Sequence, residues 1–171
     1  MIPDSGLVVP FPDLEHAVGS HRHRHDPRAA IGVPAHVTIH FPWIPAASVD
    51  ENALEKVREL AVSVEPFEVT FKELHWFGET VLYLAPEPEH QLRDLSDRSA
   101  ALWPEAPRYD GAFDDVVPHL TVGQADKEVL RPVQAALARE LPLKGKAEEV
   151  YWFALNRGGR WERRAAFPLG G

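Results

Sequence analysis

The string His-x-Thr occurs twice in this chain, as Pro34-Ala35-His36-Val37-Thr38-Ile39 and as Pro118-His119-Leu120-Thr121-Val122. Both copies follow a proline and lie in apolar, β-rich runs. They occupy corresponding points of a diverged internal duplication, which ties the fold to a twofold plan. Each half opens alike. Leu7 to Phe11 is a β-rich run leading into Pro12-Asp13-Leu14-Glu15-His16, and Val81 to Ala85 is another leading into Pro86-Glu87-Pro88-Glu89-His90. Proline stops a strand and suits a first helical turn, and acidic residues favour that turn's positive end, so a helix is expected after each run.

A second, amphipathic helix is expected behind each His-x-Thr string. Ala53, Leu54, Val57, Leu60, Ala61 and Val64 recur at helical spacing behind a Ser48-to-Glu51 capping box. The counterpart has Val129, Leu130, Val133, Ala136, Leu137 and Leu141, with Asp126 as its cap; Pro132 predicts a kink or a later start. Extended segments close each half. Phe67 to Phe77 turns through Gly78 into Thr80 to Ala85, and Glu148 to Leu155 turns at Asn156-Arg157-Gly158-Gly159 into Trp161 to Phe167. The order βαβαβ, repeated with a hairpin strand appended, predicts an α+β fold of two lobes related by a pseudo-twofold axis. Each lobe is expected to be an antiparallel-rich sheet with helices on its outer face, and a central cleft separates the two. The pseudo-repeats run over about residues 6–78 and 79–168 of one domain spanning residues 1–171.

Side chains alternate across a strand, so His36 and Thr38 share one face, as do His119 and Thr121, while Val37, Ile39, Leu120 and Val122 point the other way. One face is then apolar, and the other carries an imidazole and a hydroxyl. Two such strands facing one another make a four-residue cradle. Imidazole titrates near pH ~6.5, so one ring can accept a proton while the other gives one up. Phosphodiester cleavage requires both: a base for the attacking water or hydroxyl, and an acid for the departing sugar oxygen. Threonine hydroxyls suit the non-bridging phosphoryl oxygens. A lone His-x-Thr would be an ordinary half-buried strand; the paired copies single out His36 and His119 as catalytic and Thr38 and Thr121 as phosphate-binding, with no metal or other cofactor required.

These residues closely resemble the two-histidine (2H) phosphoesterase superfamily, whose members include bacterial 2′-5′ RNA ligases and cyclic nucleotide phosphodiesterases. The resemblance covers nearly the whole chain and shows in Val9-Pro10-Phe11-Pro12, in Gly32-Val33-Pro34-Ala35-His36-Val37-Thr38-Ile39-His40-Phe41-Pro42 and in Pro118-His119-Leu120-Thr121-Val122-Gly123. It implies a bilobal α+β fold with a central cleft and hydrolysis of 2′,3′-cyclic or 2′-5′ phosphate linkages in small nucleotides or RNA ends. It leaves the substrate open. The alternatives are a non-catalytic nucleotide or RNA-end binding module, and the reverse 2′-5′ ligation.

Other features receive plainer readings. Phe11, Trp43, Trp76, Phe77 and Phe113 are the aromatic residues nearest strand ends or loops, where bases would stack on a cleft wall. Each also fits a core. Trp103, Trp152 and Trp161 read as packing. His40 falls on the strand face of His36 and is a candidate to assist the site. Arg157, Arg160, Arg163 and Arg164 are opposed only by Glu162, and Arg160 is the candidate to add positive charge at the rim. The alternating His21-Arg22-His23-Arg24-His25 resembles a metal tract, but on a helix only His21 and His25 share a face and no carboxylate or Cys completes a set. It is expected to close a surface helix.

The formal net charge of −8, from 18 basic and 26 acidic side chains, argues against gripping long duplex nucleic acid. The absence of cysteine excludes a disulfide framework and a thiol nucleophile. With no export signal or bilayer-length apolar run, a cytoplasmic monomer is expected.

Overall fold

The structure, a computed structural model, describes residues 2–171. Eight strands form two four-stranded antiparallel sheets. The first sheet contains β1 (Ser5–Pro10), β2 (His36–His40), β7 (Glu149–Leu155) and β8 (Trp161–Pro168) in the order β2-β1-β7-β8. The second contains β3 (Phe67–Phe77), β4 (Val81–Glu87), β5 (Leu120–Gln124) and β6 (Leu143–Ala147) in the order β5-β4-β3-β6. This is the α+β, two-sheet architecture expected. The sheets nevertheless exchange strands between the sequence halves, because β7 and β8 from the end of the chain complete the sheet begun by β1 and β2.

The helices exchange as well. α1 (Glu15–His25) follows β1 of the first sheet but packs on β5 of the second, and α4 (His90–Leu102) follows β4 of the second sheet but packs on β2 of the first. α3 (Glu51–Val62) lies against β8 and α5 (Lys127–Ala138) against β3 and β4. A short α2 (Pro27–Ala30) sits between α1 and β2, its first turn capped where Asp26 Oδ1 accepts the Arg28 N–H at 3.0 Å. Gly123 on β5 makes the α1 and α5 approach feasible: a Cβ there would stand 3.0 Å from the His25 Cβ and 2.8 Å from Leu130 Cδ2. The main core runs through Leu7, Val9, Val37, Ile39, Leu82, Leu84, Leu120 and Val122, alternate residues of β1, β2, β4 and β5.

Several local expectations are corrected. The cap of α3 is Asp50, whose carboxylate accepts the Ala53 N–H at 2.8 Å, so the Ser48-to-Glu51 box does not form and Ser48 lies in a preceding 3-10 turn. α5 starts directly after Asp126 and runs through Pro132, with no side-chain cap. Its proline lacks the N–H that would have bonded the Glu128 carbonyl. β6 was not foreseen. Its Leu-Lys-Gly-Lys-Ala pattern alternates buried and exposed, but Gly145 weakens the strand signal; a Cβ at that position would come within 2.9 Å of Leu14 and Phe11 side-chain atoms.

Phe11 and Trp43, candidate cleft aromatics, are core. Phe11 has no exposed surface and meets Phe71 edge-on at 5.3 Å, since its position just past β1 directs it beneath the second sheet's edge strand. Trp43 packs edge-on against Trp103 at 5.0 Å and Trp152 at 6.2 Å. His40 is also removed from any cleft. A register shift in the β1–β2 ladder lets it enter the interior, where Nδ1 meets the Ser99 hydroxyl at 2.7 Å and Nε2 meets the Ala106 carbonyl at 2.6 Å. A carbonyl only accepts, so Nε2 carries the proton and the Ser99 hydroxyl donates to Nδ1. Ser96 of the same helix donates to the Ile39 carbonyl at 2.7 Å, satisfying an edge-strand acceptor. Among the described residues no helix is long and apolar enough to cross a membrane.

Burial holds the His40 pKa below its ordinary value of 6.5, with the Ala106 carbonyl opposing the shift. The folded state therefore prefers the neutral ring, and its contribution is complete above pH ~6.5 and lost as pH falls below that. His40→Leu leaves Ser99 and Ala106 unpaired and should cost about 2 kcal/mol at pH ~7.5. In urea unfolding, the gap between wild type and variant should narrow as pH drops toward ~5; a constant gap would contradict this account.

Candidate functional site

β2 and β5 are the facing edge strands of the two sheets, and the alternation argument applies to both. Val37, Ile39, Leu120 and Val122 are fully buried, while His36, Thr38, His119 and Thr121 are mostly buried and keep some exposed surface. In the ladders His36 stands opposite Pro10, Thr38 opposite Val8 and Thr121 opposite Tyr83. All four candidate residues line one cavity of about 390 Å³, a volume in the range of small-ligand sites. The second copy differs slightly, because β5 begins at Leu120 and leaves His119 one residue before the strand.

The two imidazoles are oriented in the same way. His36 Nδ1 lies 2.7 Å from the Pro34 carbonyl, and His119 Nδ1 lies 2.7 Å from the Val117 carbonyl. Each carbonyl accepts a proton from Nδ1, which fixes the tautomer and leaves Nε2 with its lone pair. Burial lowers both pKa values. His36 is pushed down to about 3, first by burial and then by the Arg22 guanidinium, with Arg28 and His119 adding to the effect and the Pro34 carbonyl opposing it. His119 is lowered by burial and by Arg28, against the Val117 carbonyl. At neutral pH the two rings are thus favoured in the neutral form, each able to take a proton and each poor at keeping one.

Positive charge comes from an unforeseen residue. Among the described residues, Arg28 is the one arginine or lysine in the cavity wall. It is placed by the Asp26-capped turn of α2, with its guanidinium 5.0 Å from the centre of the Phe41 ring. The buried Arg22 pairs with Asp26 at 3.2 Å and donates to the Val33 carbonyl at 3.1 Å, tying down both ends of this strap. Arg160 is not among the residues that line the cavity; its guanidinium bonds the Ala30 carbonyl at 3.4 Å and its segment is an exposed hairpin turn. The useful signal for Arg28 was its place in the short α2 segment that precedes the first His-x-Thr strand.

The aromatic candidates divide. Phe77 lines the cavity, stacked on Tyr83 at 4.1 Å and edge-on to His119 at 4.9 Å. Phe113 lines it too and is 62% exposed. Trp76 lies outside, under the Lys127 ammonium at 5.1 Å, because alternation along β3 turns it away from Phe77. Trp103 and Trp152 are packing residues as expected, and Trp161 rests on Phe41 at 5.9 Å. In the His21 to His25 tract, His23 is exposed and Arg22 is the buried member. Among the described residues no group of three or more histidine and carboxylate side chains is placed to hold a metal ion.

Tyr109 was not foreseen either. It lines the same cavity as Thr38. Burial raises its pKa, so the phenol remains protonated and available as a donor. It sits in a left-handed turn: φ is 50° at Tyr109, 55° at Asp110 and 75° at Gly111. Side chains there cost about 1–3 kcal/mol each, a strain that persists only where surrounding contacts impose it. The contacts are present: the Tyr109 N–H donates to the Phe41 carbonyl at 2.7 Å, and Arg108 bonds Ser96 and Asp97.

Known proteins share this fold. A model of the 2′-5′ RNA ligase superfamily matches residues 10–159, which include both His-x-Thr strings. Among solved structures, E. coli LigT complexed with 3′-AMP is similar with a TM-score of 0.62 at 18% identity, over 98% of each chain. TT0787 of Thermus thermophilus gives a TM-score of 0.66 at 17% identity, also over 98% of each chain. A crystal structure described as a phosphoesterase gives 0.60 at 16% identity over 99% of each. At such identities the likeness is one of fold. No curated protein sequence matches the chain. The family model spans most of the sequence and both halves of the duplication, and the chain belongs to the 2′-5′ RNA ligase superfamily of two-histidine phosphoesterases.

Proposed function

We propose that this chain is a phosphodiesterase that opens 2′,3′-cyclic phosphates, or cleaves 2′-5′ linkages, in small nucleotides or RNA ends. The observation that carries the reading is the convergence of two histidines on one cavity, each with Nδ1 committed to a carbonyl and Nε2 left free. His36 and His119 are the acid and base, and Thr38 and Thr121 donate to the non-bridging oxygens. Arg28 supplies the fixed positive charge expected earlier of Arg160. The complex of E. coli LigT with 3′-AMP supports a nucleotide phosphate as the ligand class, and the cavity volume suits one nucleotide.

Water is the nucleophile in this scheme. A neutral imidazole removes its proton as the new O–P bond forms. The P–O bond to the ribose breaks, and the protonated imidazole gives its proton to the leaving oxygen, producing a phosphomonoester and a free hydroxyl. His36, the more strongly depressed ring, is the base, and His119 the acid. The arriving phosphate favours the protonated form of His119, since a nearby anion raises a histidine's pKa. Both proton transfers are supplied by one chain acting alone, and turnover should persist in excess EDTA. The ligase direction uses the same pair in reverse.

His36→Ala or His119→Ala should each lower kcat/KM for a 2′,3′-cyclic mononucleotide by roughly 10²–10⁴-fold while the circular dichroism spectrum is retained. Thr38→Ala and Thr121→Ala should weaken turnover less. Wild-type rates in both histidine variants would reject the reading; saturable 3′-AMP binding without any turnover by wild type would favour a binding module.

The pH profile provides a separate check. kcat/KM reports the ionisations of the free protein, and an acid whose pKa is lowered from 6.5 is scarce at neutrality. kcat/KM should therefore rise as pH is lowered from ~8, with its basic limb centred below ~6.5. A limb centred above ~7 would contradict the burial of His119 as the controlling effect.

Arg28→Ala should raise KM for the anionic substrate about tenfold, the worth of a charge-assisted hydrogen bond. Arg160→Ala should leave KM unchanged. The reverse ranking in steady-state kinetics would return the cationic role to the last hairpin.

A further inference from the structure

We propose that Phe41, Phe153 and Trp161 form a second nucleoside subsite beside the cavity, so that the site takes a phosphodiester carrying a nucleoside on each side, one over each sheet. The inference deepens the proposed function and rests on its reading that the cavity binds a nucleotide phosphate. A shallow groove adjoins the cavity and shares Arg28, His36 and Thr38 with it. The cavity draws Phe77, Val81, Thr121 and Gln124 from the second sheet, whereas every strand residue of the groove comes from the first. His36 borders both spaces and His119 only the larger. A phosphate held between the two histidines thus meets the cavity over the second sheet and, past His36, the groove over the first.

Strand register builds the groove floor. Thr38 stands opposite Val8, Val8 opposite Tyr151, Gly6 opposite Phe153 and Phe153 opposite Arg163. Directly opposed residues share a face, so the face bearing Thr38 continues across β1 and β7 to β8. Leu7, Val9, Val37 and Val150 point the other way, into the core. Gly6 lets Phe41 lie across β1, since a Cβ there would stand 3.0 Å from Phe41 Cδ2. Trp161 is tied to the segment ahead of β2. Its N–H donates to the Ile31 carbonyl at 2.8 Å, and a Cβ on Gly32, where φ is 111°, would come within 2.5 Å of the Trp161 carbonyl oxygen. The Phe41 and Trp161 rings meet at 5.9 Å, and both keep exposed surface.

The groove encloses only about 30 Å³, space for little more than one water. A base does not need enclosure. It stacks on the exposed part of a ring, and rings interleaved with guanidinium groups hold single-stranded nucleic acid in this way. Arginines flank the rings here: Arg28 stands over Phe41 at 5.0 Å, and Arg163, opposite Phe153, stands over Tyr151 at 5.0 Å. Two guanidinium groups beside exposed rings match a ligand that is both anionic and aromatic.

The test compares 2′-5′ adenylyl-adenosine with 2′,3′-cyclic AMP, which differ by one nucleoside, in wild type, Trp161→Ala and Trp161→Phe. Trp161→Ala should lower the ratio of kcat/KM for the dinucleotide to that for the cyclic mononucleotide about tenfold, as expected for loss of one stacking ring. Trp161→Phe keeps a ring and should stay within about threefold of the wild-type ratio. Both substrates are read on one preparation, so the ratio is independent of the folded fraction. An unchanged ratio in Trp161→Ala overturns the proposal, as does turnover of the cyclic mononucleotide alone by wild type. Binding is measured separately by calorimetry in a His119→Ala background, where turnover is suppressed and the groove is intact. There Trp161→Ala should weaken 2′-5′ adenylyl-adenosine about tenfold and 3′-AMP under about twofold; equal weakening of both, or of neither, overturns the subsite. If wild type turns over neither substrate, the hydrolase reading fails while the binding comparison still decides the groove. Failure to bind either ligand overturns both.

Discussion

α1 leaves the first sheet to bury Ala17 and Val18 toward β5 of the second, and α4 leaves the second sheet to set Leu92, Leu95, Ser96 and Ser99 toward β2 of the first. β2 and β5 belong to different sheets and share no hydrogen-bond ladder. Their approach is therefore held by these exchanged helices. Apolar burial is non-directional and sets only the proximity. Direction is added by polar contacts that admit few alternatives, such as Ser96 on the Ile39 carbonyl and Ser99 on His40. Without the exchange, two His-x-Thr strands would be the edges of two independent sheets, with no common cavity.

The same arrangement determines the electrostatics. Placing both imidazoles between two sheets removes water from them, and desolvation is the largest influence on each pKa. The backbone carbonyls of Pro34 and Val117 act in the opposite sense and, more importantly, select the tautomer. Proline ahead of each string thus has a consequence beyond ending the preceding segment: the approach to the histidine is extended, and a carbonyl two residues upstream is brought to Nδ1 of His36 and of His119. Arg22 and Asp26 extend this control outward. Their buried pair is weak evidence for stability, but through Val33 and the Arg28 N–H it shapes the strap that carries the cavity's fixed cation.

The two segments that precede the His-x-Thr strands bring different side chains to the cavity. The first loop contributes a cation and the second a phenol and an exposed ring, Phe113. Loops carry such differences because they are constrained least by the sheets, whereas the strands themselves must keep the alternation that divides core from cavity.

How much of this was legible in the chain follows from the range of the forces involved. Alternation along a strand is local, so the partition of His36 and Thr38 from Val37 and Ile39, and its repetition at His119 to Val122, was determined by the sequence itself, as were both hairpins and the amphipathic faces of α3 and α5. The placement of Phe11, Trp43 and His40 was not. Each depends on a neighbour distant in the chain: Phe71 for the first, Trp103 for the second, Ser99 and Ala106 for the third, and a register shift in β1–β2 sends His40 inward against simple alternation. The exchange of strands and helices between sheets, and with it the meeting of Arg28, Thr38 and Tyr109 at one cavity, was decided by tertiary structure alone, because packing selects among partners that have the same local pattern and no short-range signal distinguishes them.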